Sequence, residues 1–364
     1  MTDRGHGLPF TRRALLTAAA AAVLYPRDAS AAPPHAEDIR RAVGAPAAGM
    51  AFRRDGQITL SVAGKRAAGH DVAVDQDDLW HLGSLTKSMT AVLAARLVEK
   101  GAISFDDTIG ARLDGASEQL QPVTLEQLLQ HRGGLAANVP PKAAIKLQAL
   151  EDTTAAPEIR RQYLAAVLGD AVLPAGAFLY SNAGYVSAAA MMEAATGRSW
   201  EDMITEEVFA PLGLTSPGLG PPGEATDAPD QPWGHAKGGA DVRAYAPTKA
   251  ADNILALNPA GRVHMSLIDF LSYVTAHAQR APILKPESWA RLHKPVVDAS
   301  ASYAMGWIAP TAAVRMHSGS NTIWFATGGF NEKGDAIAIV TNIGNGANLP
   351  GPIEQPALDF LTGV

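Results

Sequence analysis

The sequence predicts an α/β fold of the α+β type, with an antiparallel sheet built from N- and C-terminal strands and flanked by helices. Short strand patterns occur near both ends of the chain, whereas the long middle part shows helical periodicity. We therefore expect a large, mostly helical lobe to be inserted between the two parts of the sheet. The cleft between two such lobes is the natural place for a functional site.

The first predicted elements are a strand hairpin and a long helix. Residues 49–52 and 57–60 are apolar stretches that flank Asp55-Gly56, a dipeptide typical of a hairpin turn. The helix begins near Ser84 and ends near Lys100-Gly101. Apolar side chains recur in it at intervals of three and four residues, namely Met89, Val92, Leu93, Leu97 and Val98.

The middle of the chain predicts several helices and one long loop. Helical periodicity covers residues 125–130, 157–168, 183–195, 200–208 and 267–277. Residues 213–250 are rich in Pro, Gly and Asp and lose this periodicity. We interpret them as a long ordered loop that Trp233 and Tyr245 anchor.

The C-terminal part of the chain changes to strand patterns. Strands are predicted over residues 302–308, 314–319, 321–327 and 336–342, and a closing helix over residues 352–361. Asn331-Glu332-Lys333-Gly334 predicts the turn that joins the last two strands.

The bulk composition fits one large globular domain. The chain has 364 residues, of which 47% are hydrophobic and 18% are charged. We expect residues 32–364 to form a single domain. Its α/β lobe should comprise about residues 37–100 and 295–364, and its helical lobe about residues 101–294.

The N-terminus predicts an export signal over residues 1–31. Arg12-Arg13 is typical of the twin-arginine route, and the apolar stretch of residues 14–24 is too short to span a bilayer. Ala29-Ser30-Ala31 supplies a small-residue cleavage site. An ordinary secretory signal is the alternative. Either route predicts a periplasmic or secreted protein.

Charge and cysteine content exclude several classes of function. The net charge is −6 and the basic residues are scattered, which argues against a nucleic-acid partner. No segment after the N-terminus is long and apolar enough for stable membrane insertion. The chain has no cysteine, so disulfides, thiol catalysis and Cys-ligated metals are excluded. The sequence leaves the oligomeric state open.

Ser84-Leu85-Thr86-Lys87 is the most informative motif. Residues three positions apart share a helix face, so Lys87 would lie beside Ser84. A serine becomes a nucleophile when a neighbour takes its proton, and a desolvated lysine can do this. A serine at a helix start also lies at the positive end of the helix dipole. The alternative is a helix-capping serine with a solvated lysine.

Two further constellations carry suitable chemistry. Tyr180-Ser181-Asn182 offers a phenol that can pass a proton and an amide that can hold a substrate carbonyl or orient Lys87. His317-Ser318-Gly319-Ser320 begins a predicted strand, whose edge can lend the backbone N–H of Ser320 to an oxyanion. Gly319 lets substrate approach that backbone. Lys237-Gly238-Gly239 also fits a variant of the third pattern, but it lies in the predicted loop.

The three motifs together resemble the serine β-lactamase and penicillin-binding-protein superfamily, and most closely its class C β-lactamase-related serine hydrolases. The resemblance covers roughly residues 38–362 and includes the family landmark Thr124–Leu135. It implies a β-lactamase/transpeptidase-like fold and an acyl-enzyme on Ser84. It also implies that Lys87 and Tyr180 share the base role, in an order that the sequence does not assign.

The same resemblance implies a substrate-binding role for Asn182, His317, Gly319 and Ser320, and it requires no metal or other cofactor. We therefore expect an exported serine hydrolase that cleaves carboxylic esters or small amides. The alternatives are a D-amino-acid peptide hydrolase or weak β-lactamase that acts on cell-wall-type substrates, and a catalytically idle relative that binds wall fragments. The expected partner is a small ester, amide or peptide-like molecule.

This chain departs from the family pattern at several positions. True β-lactamases usually have lysine where His317 stands, and the neutral histidine favours esters or neutral amides. Asn321-Thr322 and the bulky Trp324 replace a Gly-rich strand start. Arg262 stands where a small residue is usual. Arg262 would either supply positive charge to the cleft or face solvent, and we expect it to face solvent.

Overall fold

The central sheet is antiparallel and takes its strands from both ends of the chain. The computed structural model describes residues 35–238, 241–344 and 349–364, so the predicted export signal lies outside the described residues. The strands are β1 Ala47–Arg54, β2 Gln57–Gly64, β3 Leu79–His81, β4 Gly218–Leu219, β5 Gly234–Gly238, β6 Asp241–Tyr245, β7 Val263–Ser266, β8 Val296–Val297, β9 Ser302–Tyr303, β10 Val314–Ser320, β11 Phe325–Asn331 and β12 Ala336–Thr341. The main sheet has the order β10-β11-β12-β1-β2. The predicted fold class is confirmed.

Helices fill the remaining layers of the molecule. They are α1 Ala36–Val43, α2 Thr86–Glu99, α3 Ile109–Arg112, α4 Leu125–Leu129, α5 Pro141–Gln148, α6 Ala156–Ala165, α7 Asn182–Thr196, α8 Trp200–Ile204, α9 Asn258–Gly261, α10 Leu267–Gln279, α11 Pro286–His293 and α12 Gly351–Thr362. Within the described residues, none of these helices combines the length and apolarity that a bilayer crossing requires.

Alternate side chains of β12 point to opposite faces of the sheet, because side chains in a strand alternate with a period of two residues. Ile337 and Ile339 face the cluster that α1 and α12 cover. Ala338 and Val340 face the larger cluster, which includes α10 and the long helix α2. Because both faces are covered, β12 is buried along its whole length.

Two predictions about the C-terminal strands are wrong in detail. The strand predicted over residues 321–327 is β11, which begins only at Phe325. The side-chain oxygen Oδ1 of Asn321 accepts hydrogen bonds from the backbone amides of Ile323 at 3.3 Å and of Trp324 at 3.2 Å. Thr322 has a φ of 83°, so these residues form a turn. In the segment 302–308, only Ser302–Tyr303 is a strand, because Gly306 has a φ of 83°.

The middle of the chain differs from the prediction in two ways. Residues 213–250, predicted as a loop, contain a hairpin, β5–β6. Lys237 lies on strand β5 of this hairpin, so the prediction that Lys237-Gly238-Gly239 lies in a loop is wrong. Helix α10 was assigned to the helical lobe, but it packs on the sheet. A methyl group at Gly328 of β11 would lie 2.7 Å from the Phe270 ring of α10, which shows how close the packing is.

Candidate active site

Ser84 lies in a tight turn that leads directly into α2. Residues Gly83–Leu85 form one 3-10 turn, and the helix begins at Thr86. Gly83 has a φ of 51°, a conformation that a glycine adopts without strain. The Thr86 hydroxyl donates to the Gly83 carbonyl at 2.8 Å and accepts from the Val263 amide at 3.1 Å. This turn leaves Ser84 partly exposed at the positive end of the helix.

Lys87 contacts Ser84 from the first turn of α2. Its Nζ lies 3.0 Å from Ser84 Oγ and 2.6 Å from the carbonyl oxygen of Ala260. The side chain is 0% exposed. Burial holds the pKa of the Lys87 amine well below its usual value. An amine of this kind can be neutral at working pH and accept the serine proton.

Tyr180 lies against the same pair of residues. The Lys87 amine is 4.9 Å from the centre of the Tyr180 ring. Burial raises the pKa of the Tyr180 phenol, and a hydrogen bond with Ser84 partly offsets that rise. The phenol therefore remains protonated and can donate, while Lys87 is poised to accept.

His131 supports the Tyr180 ring and was not among the predicted site residues. Its ring centre lies 4.2 Å from that of Tyr180. Its Nδ1 accepts a hydrogen bond from the Ser181 amide at 3.0 Å, which holds the backbone beside Tyr180. Burial, followed by the charges of Lys87 and His317, lowers the pKa of His131. The signals in the sequence were the position of His131 within the family landmark and the tripeptide His131-Arg132-Gly133, which also fits the His-x-Gly pattern of residues 317–319.

Strand β10 meets the Ser84 turn backbone to backbone. A methyl group at Gly319 would lie 2.5 Å from the Ser84 nitrogen and 2.9 Å from the Gly83 carbonyl carbon. A methyl group at Gly83 would in turn clash with the Ser320 nitrogen. Glycine is therefore required at both positions, and the backbone of Ser320 lies beside that of Ser84. The hydroxyl of Ser320 has a separate partner: it donates to the Trp324 carbonyl at 2.7 Å, within the turn that follows β10.

His317, on strand β10, lies beside Tyr180. The side chain is buried, and its ring stacks 6.1 Å from the Tyr180 ring at an interplanar angle of 30°. Neither of its ring nitrogens has a hydrogen-bond partner among the described residues. Burial, followed by the charge of Lys87, lowers the pKa of His317 to about 3. His317 is therefore uncharged at neutral pH.

Asn182 has a different partner from the one expected. Its Nδ2 donates to Oδ1 of Asn138 at 2.8 Å, whereas the described hydrogen bonds of Lys87 go to Ser84 and Ala260. The expectation that Asn182 orients Lys87 is therefore not met. Asn138 is a residue of the cleft that the sequence did not single out.

Arg262 is buried, so the expectation that it faces solvent is wrong. Its Nε lies 3.2 Å from Oδ2 of Asp252, and its side chain is 8% exposed. The Asp252 carboxylate, which is fully buried, neutralises the guanidinium charge. Arg262 therefore lends no free positive charge to the cleft.

Comparisons with known proteins place this chain in one family. The chain belongs to the Beta-lactamase family, whose model matches residues 35–349. It is therefore a member of a class of serine hydrolases, and the resemblance inferred from the three motifs is confirmed.

Two curated relatives and one solved structure illustrate the similarity. Penicillin-binding protein 4 of Amycolatopsis lactamdurans is 29% identical over 46% of this chain and 43% of its own length. The putative penicillin-binding protein PbpX of Bacillus subtilis (strain 168) is 24% identical over 74% of this chain and 63% of its own length. A D-stereospecific amidohydrolase from Streptomyces sp. shares the fold with a TM-score of 0.70 and 20% identity, over 90% of this chain and 98% of its own. The matched part of the chain thus spans less than two thirds of the length of each of these two curated relatives.

Proposed function

We propose that the protein hydrolyses carboxylic esters or small amides through an acyl-enzyme on Ser84. The observation that carries the proposal is the contact between the Lys87 amine and the Ser84 hydroxyl at 3.0 Å, with the amine fully buried. A solvated lysine beside a capping serine, which is the alternative, would be exposed and charged. Intact Ser84, Lys87 and Tyr180 also favour an enzyme over an idle binding protein.

Lys87 takes the proton of Ser84 as the serine oxygen attacks the substrate carbonyl. Its Nζ donates one hydrogen bond to the Ala260 carbonyl. The lone pair of the neutral amine therefore remains available to accept the proton of the serine hydroxyl. Tyr180 stays protonated and can hand its proton to the departing alcohol or amine. Protonated Lys87 then passes the serine proton to the Tyr180 oxygen. When water attacks the acyl carbonyl, Lys87 accepts a proton from that water and returns it to Ser84 Oγ as the ester bond breaks and the acid leaves.

The backbone amides of Ser84 and Ser320 are the candidate donors to the tetrahedral oxyanion. The contact between Gly83 and Gly319 brings the two amides together on one wall of the cleft. One such donor typically contributes about 2.7–4 kcal/mol to the stabilisation of the transition state.

The charges around Ser84 favour neutral acyl groups. His317 is uncharged at neutral pH and Arg262 is paired with Asp252, so neither offers a fixed charge to a substrate carboxylate. A D-amino-acid peptide hydrolase or weak β-lactamase is the second candidate. It is favoured by the fold shared with the Streptomyces amidohydrolase.

Intact-mass analysis after treatment with a fluorophosphonate probe tests the nucleophile. The wild-type protein should gain one phosphonyl group as the Ser84 oxygen bonds to phosphorus and fluoride leaves. Ser84→Ala should gain none. Ser272→Ala, on the exposed surface of α10, should label like the wild type. Equal labelling of the wild type and Ser84→Ala would overturn the assignment.

A substrate panel separates the two candidates. We expect turnover of nitrophenyl esters of short neutral acids, with slower turnover of D-amino-acid amides and a chromogenic cephalosporin. A preference for the amides or the cephalosporin would favour the second candidate. Labelling of Ser84 without turnover of any member would indicate the idle relative.

We also propose that the protein is exported by the twin-arginine route. The sequence of residues 1–31 supports this. Cell fractionation of the full chain should find the protein outside the cytoplasm. Replacing Arg12 and Arg13 together with lysine should retain it inside, whereas Arg27→Lys should not. Unchanged export of the double variant would point to the ordinary secretory route.

A further inference from the structure

Asp252 is a fully buried carboxylate that joins three separate segments of the site. Its Oδ2 lies 3.1 Å from Nε2 of His81 and 3.2 Å from Nε of Arg262. Its Oδ1 accepts from Nδ2 of Asn321 at 2.9 Å and from the Asn253 amide at 2.7 Å. Both carboxylate oxygens therefore have two partners each.

Each of the three side chains that Asp252 holds is attached to a part of the site. Nδ1 of His81 accepts a hydrogen bond from the Gly83 amide at 3.2 Å, one residue before the nucleophile. Asn321 follows Ser320 directly and shapes the turn after β10. Arg262 follows α9, the short helix whose Ala260 carbonyl accepts from Lys87.

The hydrogen bonds also fix the tautomer of His81. Because Nδ1 accepts from a backbone amide, the ring proton of neutral His81 is on Nε2 and points to Asp252. The Trp324 ring stacks on His81 with centres 5.5 Å apart and an interplanar angle of 21°. The imidazole is thus held both in its plane and at its two nitrogens.

Three of the residues at which this chain departs from the family pattern meet in this cluster. Arg262 and Asn321 bond to Asp252, and Trp324 stacks on His81. Burial raises the pKa of Asp252, but His81, Arg262 and Asn321 more than offset this effect, and the pKa is lowered overall. Asp252 is therefore a carboxylate, and it balances the charge of Arg262.

We propose that Asp252 is a positioning residue that sets the spacing between the Ser84 turn, the Ser320 backbone and the Lys87 acceptor. It acts through His81, Asn321 and Arg262 rather than on the substrate. The inference rests on the proposed function, since it assumes that Ser84 is the nucleophile. A shift of about 1 Å in such a site can cost about 100-fold in rate, so small displacements of these segments should be measurable.

Two variants and their combination test the inference. Asp252→Asn keeps the shape of the side chain and removes its charge. His81→Asn leaves an amide that can still accept from the Gly83 backbone but is too short to reach Asp252. If His81 transmits the effect of Asp252, the losses in the double variant should not multiply.

Glu193→Gln is the matched control. Glu193 forms a buried ion pair with Arg160, as Asp252 does with Arg262. It lies 11 residues beyond Asn182 on the same helix, or about 16 Å along the helix axis. Arg160 keeps its second partner, Glu201, so the control carries the cost of losing one carboxylate from a largely buried ion pair away from the site.

The measurements are the fluorophosphonate labelling rate, kcat and KM for a nitrophenyl ester, and urea unfolding. We expect kcat and the labelling rate of Asp252→Asn and His81→Asn to fall about 10- to 100-fold, with KM changed by less than about threefold. The double variant should be no slower than the slower single variant. Glu193→Gln should keep kcat within about twofold of the wild type.

The opposite results distinguish a failure of this inference from a failure of the proposed function. If the wild type labels at Ser84 and folded Asp252→Asn labels equally fast, this inference is overturned while the proposed function stands. Multiplicative losses in the double variant, or an equal loss in Glu193→Gln, also overturn it. If Asp252→Asn does not fold, the double variant Asp252→Asn/Arg262→Met, which removes both charges, takes the place of Asp252→Asn in the same assays. An unchanged kcat in that double variant would refute the positioning role of Asp252. If Ser84 of the wild type does not label, both proposals fall.

Discussion

Lys87 and Arg262 are both buried cations, and both are tied to the short segment that includes α9. Lys87 donates to the Ala260 carbonyl, and Arg262 stands two residues further along the chain. Arg262 lies against the Asp252 carboxylate, whereas Lys87 makes no ion pair with any described residue. Arg160, a third buried cation, is paired with Glu193 and Glu201.

The difference shows which buried cation can do chemistry. A buried cation with a carboxylate partner keeps its charge and holds structure together. One without such a partner has a lowered pKa and can give up its proton, as a general base must. The absence of a counterion around Lys87 is therefore as informative as the presence of Ser84 beside it.

The largest expected effect is on activity when Lys87 is made permanently cationic. Lys87→Arg retains a long basic side chain, but the guanidinium does not deprotonate in proteins. We expect kcat/KM to fall about 10³- to 10⁴-fold, as for loss of a general base. Lys100→Arg, at the end of the same helix, should keep its ion pair with Glu207 and full activity. If Lys87→Arg retained a tenth of the activity, the base would lie elsewhere.

The next largest effect is on stability when Arg262 loses its charge. Arg262→Met should lower the free energy of unfolding by about 3–5 kcal/mol, because it leaves Asp252 as an uncompensated buried charge. Urea unfolding at neutral pH measures this. Arg41→Met removes the exposed ion pair with Glu37 and should cost far less than Arg262→Met, because solvent screens that pair. Equal costs for the two variants would contradict the comparison.

The pH dependence of activity sharpens the contrast between the two cations. The pKa of Lys87 in the folded protein lies below its usual value, and below that folded pKa the amine is protonated and inactive. On the acidic side, kcat/KM should therefore fall about tenfold per pH unit, with a midpoint well below the usual pKa of a lysine side chain. A midpoint near the usual lysine value would mean that burial does not lower this pKa.

Because the chain has no cysteine, a chemical substitution at Lys87 can test whether the acidic limb of the pH profile belongs to Lys87. Lys87→Cys creates a unique cysteine. Alkylation with bromoethylamine in denaturant, followed by refolding, replaces lysine by its thioether analogue, whose amine is less basic. The acidic limb should move to lower pH than in the wild type. An unmoved limb would belong to another group.

The smallest expected effect is on stability when Lys87 itself becomes apolar. At pH 9, Lys87→Met should leave the free energy of unfolding unchanged or raise it by at most about 1 kcal/mol, while activity is lost. Because the folded pKa of Lys87 is lowered, the wild-type unfolded state binds more protons, and wild-type stability rises with pH in that window. The gain of the variant should thus be larger at pH 6 than at pH 9. A loss like that of Arg262→Met would contradict the comparison.

Some features of the site followed from local sequence patterns. The spacing of Ser84 and Lys87 on one helix depends only on helical geometry, and the structure places their polar atoms 3.0 Å apart. The turn at residues 331–334 also follows from local chemistry, since Asn331 Oδ1 accepts from the Lys333 amide at 3.0 Å. Such features need no knowledge of distant contacts.

Other features depended on residues that the sequence does not bring together. Arg262 was expected in solvent because isolated arginines mostly lie there, but it is buried against Asp252, which another segment supplies. The strand predicted from Asn321 became a turn because the Asn321 side chain bonds backbone amides that a strand would have paired. The position of His131 behind Tyr180 joins residues 49 positions apart in the chain.

The order of the motifs, the alternation of strand and helix periods and the lack of cysteine were determined by the sequence alone, because each is a local or compositional property. The protonation states of Lys87, His317 and Asp252 were decided only by the tertiary structure. The physical reason is that desolvation and pairing depend on which distant segments exclude water from a side chain and which of them bring a charge.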